Sequence, residues 1–269
     1  MIIFSNCKIN LGLRILRKRT DGYHDLETVF YPVPVHDVIE VIRADQQATE
    51  LSTTGIAINC PADQNLCMKA YALLKRNYDL PEAKIHLHKS IPSGAGLGGG
   101  SANAAFTLKL LNRKFNLKLD THQLLDLALQ LGSDCPFFIL NEPVIARGRG
   151  EIMEPIDLSI LGSYKLVLVT PGIHISTAWA FANITPANGN RPLEEVISKP
   201  VESWKELLIN DFEEAVFKTY PEISSIKNTL YSKGAVYASM SGSGSAVYGL
   251  FKDRPVLDFE HRCVDLVNP

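Results

Sequence analysis

Five glycines fall within seven positions, Gly94 to Gly100, in the run Pro92-Ser-Gly-Ala-Gly-Leu-Gly-Gly-Gly-Ser-Ala-Asn-Ala-Ala105. Glycine tolerates positive φ and lets the backbone approach a ligand closely. Upstream, Ala83–Ile91 alternates, with Ile85, Leu87 and Ile91 against His86, His88 and Ser90. That is the pattern of a half-buried strand. Downstream, small residues open a helix expected from Ser101 or Ala102 to about Asn112. A strand, a glycine turn and a fresh helix N-terminus with its free N–H groups together make a cradle for an anion. The loop is therefore expected to hold phosphate.

The glycines alone leave the kind of phosphate site open. Gly94-x-Gly96-x-x-Gly99 satisfies a dinucleotide fingerprint, with Asp120 at about the distance of a ribose-binding carboxylate. The strand before it alternates in polarity, however, whereas a central parallel strand is apolar throughout. The run also lacks the lysine of a Walker A loop, since Gly100-Ser101 follows Gly99.

The rest of the chain gives this loop a two-domain α+β setting. Lys8–Leu16 and Leu26–Tyr31 read as strands, the second closed by Pro32 and Pro34, with Val38–Arg43 and Glu50–Thr54 as another pair. Asn65–Arg76 reads as a helix, as does Thr121–Leu131 with Thr121 as its N-cap. A boundary near Pro155 separates residues 1–154 from 155–269. Beyond it come a strand at Tyr164–Thr170, a turn-rich loop at Pro186–Pro192, helices at Glu202–Leu208 and Ile223–Ser232, and strands at Val236–Met240 and Ala246–Phe251. With 269 residues, 46% apolar and 21% charged, a real core is affordable. Lys and Arg number 27 against 29 Asp and Glu, so no basic excess points to nucleic acid or an anionic membrane. Five cysteines without ligand spacing read as reduced thiols, and no targeting segment or membrane span is evident, so the expected location is cytoplasmic.

Three separated motifs stand in a telling order: Lys8-Ile-Asn-Leu-Gly-Leu, the glycine loop, and Met240-Ser-Gly-Ser-Gly-Ser-Ala-Val-Tyr. Together they resemble the GHMP kinases. Within that superfamily the chain resembles the diphosphocytidyl-methylerythritol kinases of the non-mevalonate isoprenoid pathway. The segments that carry this are Arg19-Thr-Asp-Gly-Tyr-His-Asp-Leu-Glu-Thr-Val-Phe30, Gly98-Gly-Gly-Ser-Ala-Asn103, Leu131-Gly-Ser-Asp-Cys-Pro-Phe137, Ala146-Arg-Gly-Arg-Gly-Glu151 and Asn210-Asp-Phe-Glu213. The resemblance implies a GHMP kinase fold, with an N-terminal domain like the second domain of ribosomal protein S5 and a ferredoxin-like C-terminal domain. Substrate and ATP are expected to meet in the cleft between the halves.

By position, the resemblance makes Asp134 the catalytic carboxylate and Lys8 its cationic neighbour. A positioned carboxylate can accept the proton of an alcohol, a weak nucleophile. Tyr23 and His24 match cytidine-binding positions, Asn10 and Thr177 substrate contacts, and Phe181 the second aromatic, with Trp179 or His174 as alternatives. On the nucleotide side, Asn65 and Lys89 match adenosine positions, while Pro92, Gly94, Gly96, Leu97, Gly98, Gly99, Gly100, Ser101 and Asn103 surround the phosphates. Implied cofactors are ATP and Mg²⁺, the metal carried mostly by the nucleotide, because Ser101 matches a ligand position and no glutamate does. A monomer or weak homodimer is expected.

Other superfamily kinases, of the homoserine or mevalonate type, remain rivals, and the dinucleotide oxidoreductase stays a more distant one. His86 and His88 lack a third ligand and read as solvated strand histidines. Met240 and Met153 read as core. Asp211–Glu214 reads as a solvated helix start, while the resemblance implies a structural role for Asn210 and Asp211.

Overall fold

The computed structural model describes residues 1–44, 48–184, 186, 192–256 and, as backbone, 262–266. In chain order the strands are β1 (Ile2–Lys18), β2 (His24–Arg43), β3 (Glu50–Gly55), β4 (Ala83–Lys89), β5 (Val144–Gly148), β6 (Ile152–Pro155), β7 (Lys165–Thr170), β8 (Tyr237–Met240), β9 (Val247–Phe251) and β10 (Arg262–Leu266). The helices are α1 (Leu66–Asn77), α2 (Gly99–Lys114), α3 (Thr121–Leu131), α4 (Cys135–Leu140), α5 (Thr177–Ala182), α6 (Leu193–Ile197), α7 (Trp204–Leu207), α8 (Phe212–Thr219) and α9 (Pro221–Ser232). The content is mixed α and β, as the sequence suggests. The turn-rich loop read at Pro186–Pro192 lies, apart from its two end residues, outside the described residues.

Two compact units emerge, and neither is a continuous stretch of chain. The first comprises Met1–Cys7, Val35–Ser93 and Gly98–Glu142; the second comprises Lys8–Pro34, Gly94–Leu97 and Pro143–Pro269. The glycine run thus leaves one unit and returns to it, which four residues can do only with unusual backbone angles.

In the first unit, β4 pairs in parallel with β3 and antiparallel with the C-terminal part of β2. Ala83, Ile85, Leu87 and Lys89 of β4 are all buried, as a period of two requires. Three of those positions are apolar, and the fourth carries a charge. On the opposite face, His86 and His88 hydrogen-bond to the hydroxyls of Ser52 and Thr54 in β3. Helix α1 packs on α2, which also meets α3 and α4. Phe137, Phe138, Leu74, Leu108 and Leu111 are among the buried apolar residues of this unit. The N-cap of α3 is Asp120, not Thr121. Its carboxylate accepts from the Gln123 N–H while the Gln123 side chain accepts from the Asp120 N–H, a reciprocal box that a threonine one position later cannot form.

In the second unit the N-terminal part of β2 pairs with β5, and β5 with β6, in an antiparallel ladder. A separate antiparallel sheet has the order β10-β7-β9-β8. Helices α8 and α9 cover it, and Phe212, Val216, Ile223, Ile226 and Leu230 share a core with Val167, Val169, Met240, Val247 and Phe251. Met240 is buried, as read, but Met153 is only half-buried on the β6 edge. Glu213 also departs from the sequence reading: it is buried, and its carboxylate accepts from the Met240 N–H, the Ser239 hydroxyl and Lys227. Asp211 accepts from the Ile15 N–H at 2.7 Å, and Asn210 donates to the carbonyls of Met240 and Gly242, both structural tasks.

Strand β2 corrects the sequence reading most. Pro32 and Pro34 do not end it, and the two predicted strands are one. Leu26–Phe30 pairs with β5 and Val38–Arg43 with β4, so neither of these two ladders includes 31–37. A proline there removes no ladder bond from those pairings.

Candidate functional site

Within the second unit the three glycine- and lysine-bearing motifs meet. The Lys8 N–H donates to the Leu97 carbonyl at 3.0 Å, and the Ala246 N–H donates to the Ala95 carbonyl at 3.1 Å. The Ser241 hydroxyl donates to the Gly96 carbonyl at 2.8 Å and accepts from the Asn10 N–H at 3.2 Å. One serine thereby ties the N-terminal strand, the glycine loop and the C-terminal loop together. Gly96 has φ of +74°, and a Cβ there would lie 1.9 Å from the Ser241 carbonyl oxygen. Any other residue would push the loops apart.

The Lys8 side chain is 4% exposed, donates to the Asn10 side-chain carbonyl, and lies 4.8 Å from the Phe30 ring centroid. Asn10, 2% exposed, passes the order on: its Nδ2 donates to Thr28 Oγ1, which donates to the Gly12 carbonyl. The Tyr248 hydroxyl donates to the Asn10 carbonyl at 2.7 Å. An ammonium so embedded keeps one orientation, which is what stabilising a transferring charge requires. Thr28, Ser241 and Tyr248 were not singled out in the sequence. Their only signal was membership of the Arg19–Phe30 and Met240–Tyr248 motifs.

The aromatic candidates gather elsewhere in the same unit. His24 stacks on Phe181 with centroids 4.9 Å apart and 21° between planes, and Phe181 meets Phe212 edge-on at 4.9 Å. Burial holds the His24 imidazole below its ordinary pKa, with the Lys18 charge adding to the effect. Tyr23 is 54% exposed, its N–H donating to Asp21 Oδ1. Arg19 bridges Asp21 and Asp25, fixing the turn that presents Tyr23 and His24. The alternatives to Phe181 have other partners. Trp179 packs edge-on against Tyr220 at 5.7 Å, and the His174 ring lies over Gly94, where a Cβ would come within 2.2 Å of Nδ1. Thr177, exposed, shares a hydrogen bond with Ser243 at 3.2 Å in the C-terminal loop.

In the first unit, Gly98 is the N-cap of α2 with φ of +67°, and Gly99, Gly100 and Ser101 form the first turn. Gly100 is exposed there, Pro92 is half-buried where the loop begins, and Asn103 faces inward. Asn65 caps α1 by accepting from the Cys67 N–H at 2.9 Å. Lys89 and Asn103 are each 3% exposed and converge on a group the sequence reading missed, Asp37, which is fully buried. Asp37 accepts from Lys89 Nζ, from Asn103 Nδ2 at 2.9 Å, and from the N–H groups of Ser90 and Ile91 at 2.7 and 2.8 Å. A Cβ on Gly99 would stand 3.0 Å from Lys89 Nζ, so the ammonium lies under the first turn of α2. Lys89 thus supports the loop from below. A signal did exist: the parity of Ile85, Leu87 and Ile91 turns Lys89 inward, and a buried lysine needs an anion. Asp37 is one step along the register from Val38↔His88.

Asp134 stands at the N-cap of α4, half-exposed, after the turn at Gly132-Ser133. Its neighbour Cys135 is fully buried, and burial pushes that thiol up to about 12 against a smaller opposing effect of a hydrogen bond with Ser101. The thiol is inert, and it links the turn bearing Asp134 to the first turn of α2.

Comparison with known proteins places this arrangement. Residues 65–142 match the GHMP kinases N terminal domain and residues 193–263 the GHMP kinases C terminal domain. The chain is 54% identical to a 4-diphosphocytidyl-2-C-methyl-D-erythritol kinase of Azobacteroides pseudotrichonymphae over 262 residues, 96% of this chain and 97% of that protein. It is 52% identical to the Bacteroides fragilis kinase of the same name, covering 97% and 96%. A crystal structure of 4-(cytidine 5'-diphospho)-2C-methyl-D-erythritol kinase superposes with TM-score 0.79 at 32% identity, covering 93% of this chain and 90% of that one. The Methanococcus jannaschii mevalonate kinase superposes at 0.71 with 16% identity, covering 98% and 97%, a likeness of fold alone. The chain has the two-domain GHMP kinase fold and belongs to the 4-diphosphocytidyl-2-C-methyl-D-erythritol kinase family.

Proposed function

We propose that this protein transfers the γ-phosphoryl group of ATP to the 2-hydroxyl of 4-diphosphocytidyl-2-C-methyl-D-erythritol. The observation that carries the substrate choice is the Tyr23, His24 and Phe181 group. Its stacked imidazole and phenyl rings, next to an exposed phenol, suit a pyrimidine base. A mevalonate or homoserine kinase has no base to read with them. Depression of the His24 pKa keeps the ring neutral near pH 7, with one nitrogen donating and the other accepting, as reading a base edge requires.

In this reading Asp134 accepts the proton of the 2-hydroxyl as the oxygen attacks phosphorus, and Lys8 offsets charge on the transferring group. The N–H groups at the start of α2 and the left-handed turns of the glycine loop cradle the phosphates. Transfer is direct, and positioning and electrostatics supply most of the rate. Magnesium fits as a passenger of the nucleotide. Ser101 offers a hydroxyl at the first turn of α2, and among the described residues no three or more His, Cys, Asp or Glu side chains group to hold a metal. When bound, the metal neutralises phosphate charge.

The test is Asp134→Asn, assayed for ADP release with the cytidine substrate while ATP affinity is measured by calorimetry. Loss of turnover by about 10²- to 10⁴-fold with ATP affinity retained supports the base assignment. Parallel loss of ATP binding would make Asp134 a structural residue.

A further inference from the structure

The motif Ala146-Arg-Gly-Arg-Gly-Glu151 spans the end of β5 and the turn of the β5–β6 hairpin, and its two arginines have different surroundings. Arg147 contacts Glu27, Glu154 and Glu194, a set of ion pairs within the fold. Arg149, at the tip, has its guanidinium carbon 5.0 Å from the centroid of the Tyr23 ring. Resting on the cytidine reading above, we propose that Arg149 is a positioning residue for the base-stacking wall: its guanidinium covers one face of Tyr23 and fixes the ring so that the pyrimidine stacks on the other.

The hairpin is built to aim that side chain. Glu151 accepts from the Arg149 N–H at 2.5 Å and from Nε at 3.3 Å, so one carboxylate clamps both the backbone and the guanidinium. Gly148 has φ of +71°, a left-handed angle that favours glycine, and a Cβ on it would crowd Glu151 Oε2 at 3.0 Å. The Arg149 side chain is 33% exposed, while Tyr23 keeps more than half of its surface open. Arg149 also acts on the turn that carries Tyr23. The Asp21 carboxyl is held below its ordinary range chiefly by Arg19, next by the Tyr23 N–H, and at longer reach by Arg149. A planar guanidinium stacks flat on a ring in a way an ammonium cannot. A phenol held from one side has lost its freedom before the base arrives, which favours binding.

The test uses the full-length enzyme with the cytidine substrate and ATP, comparing Arg149→Met, Arg149→Lys, Tyr23→Leu and the Arg149→Met, Tyr23→Leu double variant. Arg149→Met is expected to raise KM for the cytidine substrate roughly fivefold, with KM for ATP unmoved and kcat nearly so. Arg149→Lys recovers part of the loss. In the Tyr23→Leu background, Arg149→Met adds nothing, because its effect runs through the ring. Additive effects in the double variant, or an unmoved KM in Arg149→Met, overturn the inference. Calorimetry with CDP separates it from the reading beneath: CDP that fails to bind the unaltered enzyme overturns both, while CDP that binds Arg149→Met at unaltered strength overturns the Arg149 role alone.

Discussion

Lys89 and Asn103 are each 3% exposed and share one fully buried carboxylate, whereas Tyr23 is 54% exposed and His24 and Phe181 meet through their ring faces. The first group, under the phosphate loop, is a closed hydrogen-bonded network in which every partner is specified. The second is a set of surfaces with open area. Phosphate is the same in every turnover and its charge punishes misplacement, so a rigid support under the loop suits it. A base is held by flat contact and by its edges, so the wall for it can stay partly open until the ligand completes it. On the proposed reading, the difference separates what stabilises the fold from what selects the substrate.

The comparison breaks if the buried network proves dispensable. Asp37→Ala leaves the Lys89 ammonium buried without its carboxylate, and the loss of such a partner typically costs about 3–5 kcal/mol. The expected outcome in a denaturant melt is a large drop in midpoint with ATP binding weakened alongside it. A variant as stable as the parent would show that Lys89 finds water or another anion.

A smaller effect, of the opposite kind, is expected on the aromatic side. Phe181→Leu keeps apolar volume against Phe212 but removes the ring face under His24. KM for the cytidine substrate should rise by about threefold to tenfold, with the melting midpoint and KM for ATP little changed. An equal rise in KM for ATP would mean that the two groups are not separate in function.

The mildest effect concerns pH. His24 has its folded pKa depressed below the ordinary 6.5, first by burial and then by Lys18. Between the folded and unfolded pKa values the unfolded chain binds more protons. His24 therefore contributes stability that is present above about 6.5 and is lost as pH falls through the folded value. An NMR titration should place the imidazole midpoint below 6.5, and the acid-side loss of stability should shrink in His24→Gln. A midpoint above 6.5 would indicate an anion near the ring.

The parts legible in the sequence were those written in short, local patterns. The alternation of Ala83–Ile91 marks β4, and the glycines followed by small residues mark the turn into α2. The Asp-Gly-Tyr-His block pointed to an aromatic group, and Phe181 stacks on its His24. What escaped depends on partners distant in the chain. Asp37 sits in a strand without any motif, 52 residues from Lys89. Glu213 looks solvated in an acidic stretch until the Met240 and Ser239 donors are seen to face it. The continuity of β2 through Pro32 and Pro34 follows from where the β4 and β5 ladders stop, which local propensity cannot express. The β5–β6 hairpin has too few residues and too many charges for a period-two signal, so Arg149 was visible only as part of a motif.

The central claim, that the chain phosphorylates a cytidine-diphosphate-linked alcohol, is tested most directly by ATP-dependent ADP release with 4-diphosphocytidyl-2-C-methyl-D-erythritol, mevalonate and homoserine offered separately and in competition. Rapid turnover with the cytidine compound, and little or none with the other two, is the predicted result. Turnover of mevalonate or homoserine with none of the cytidine compound would contradict it.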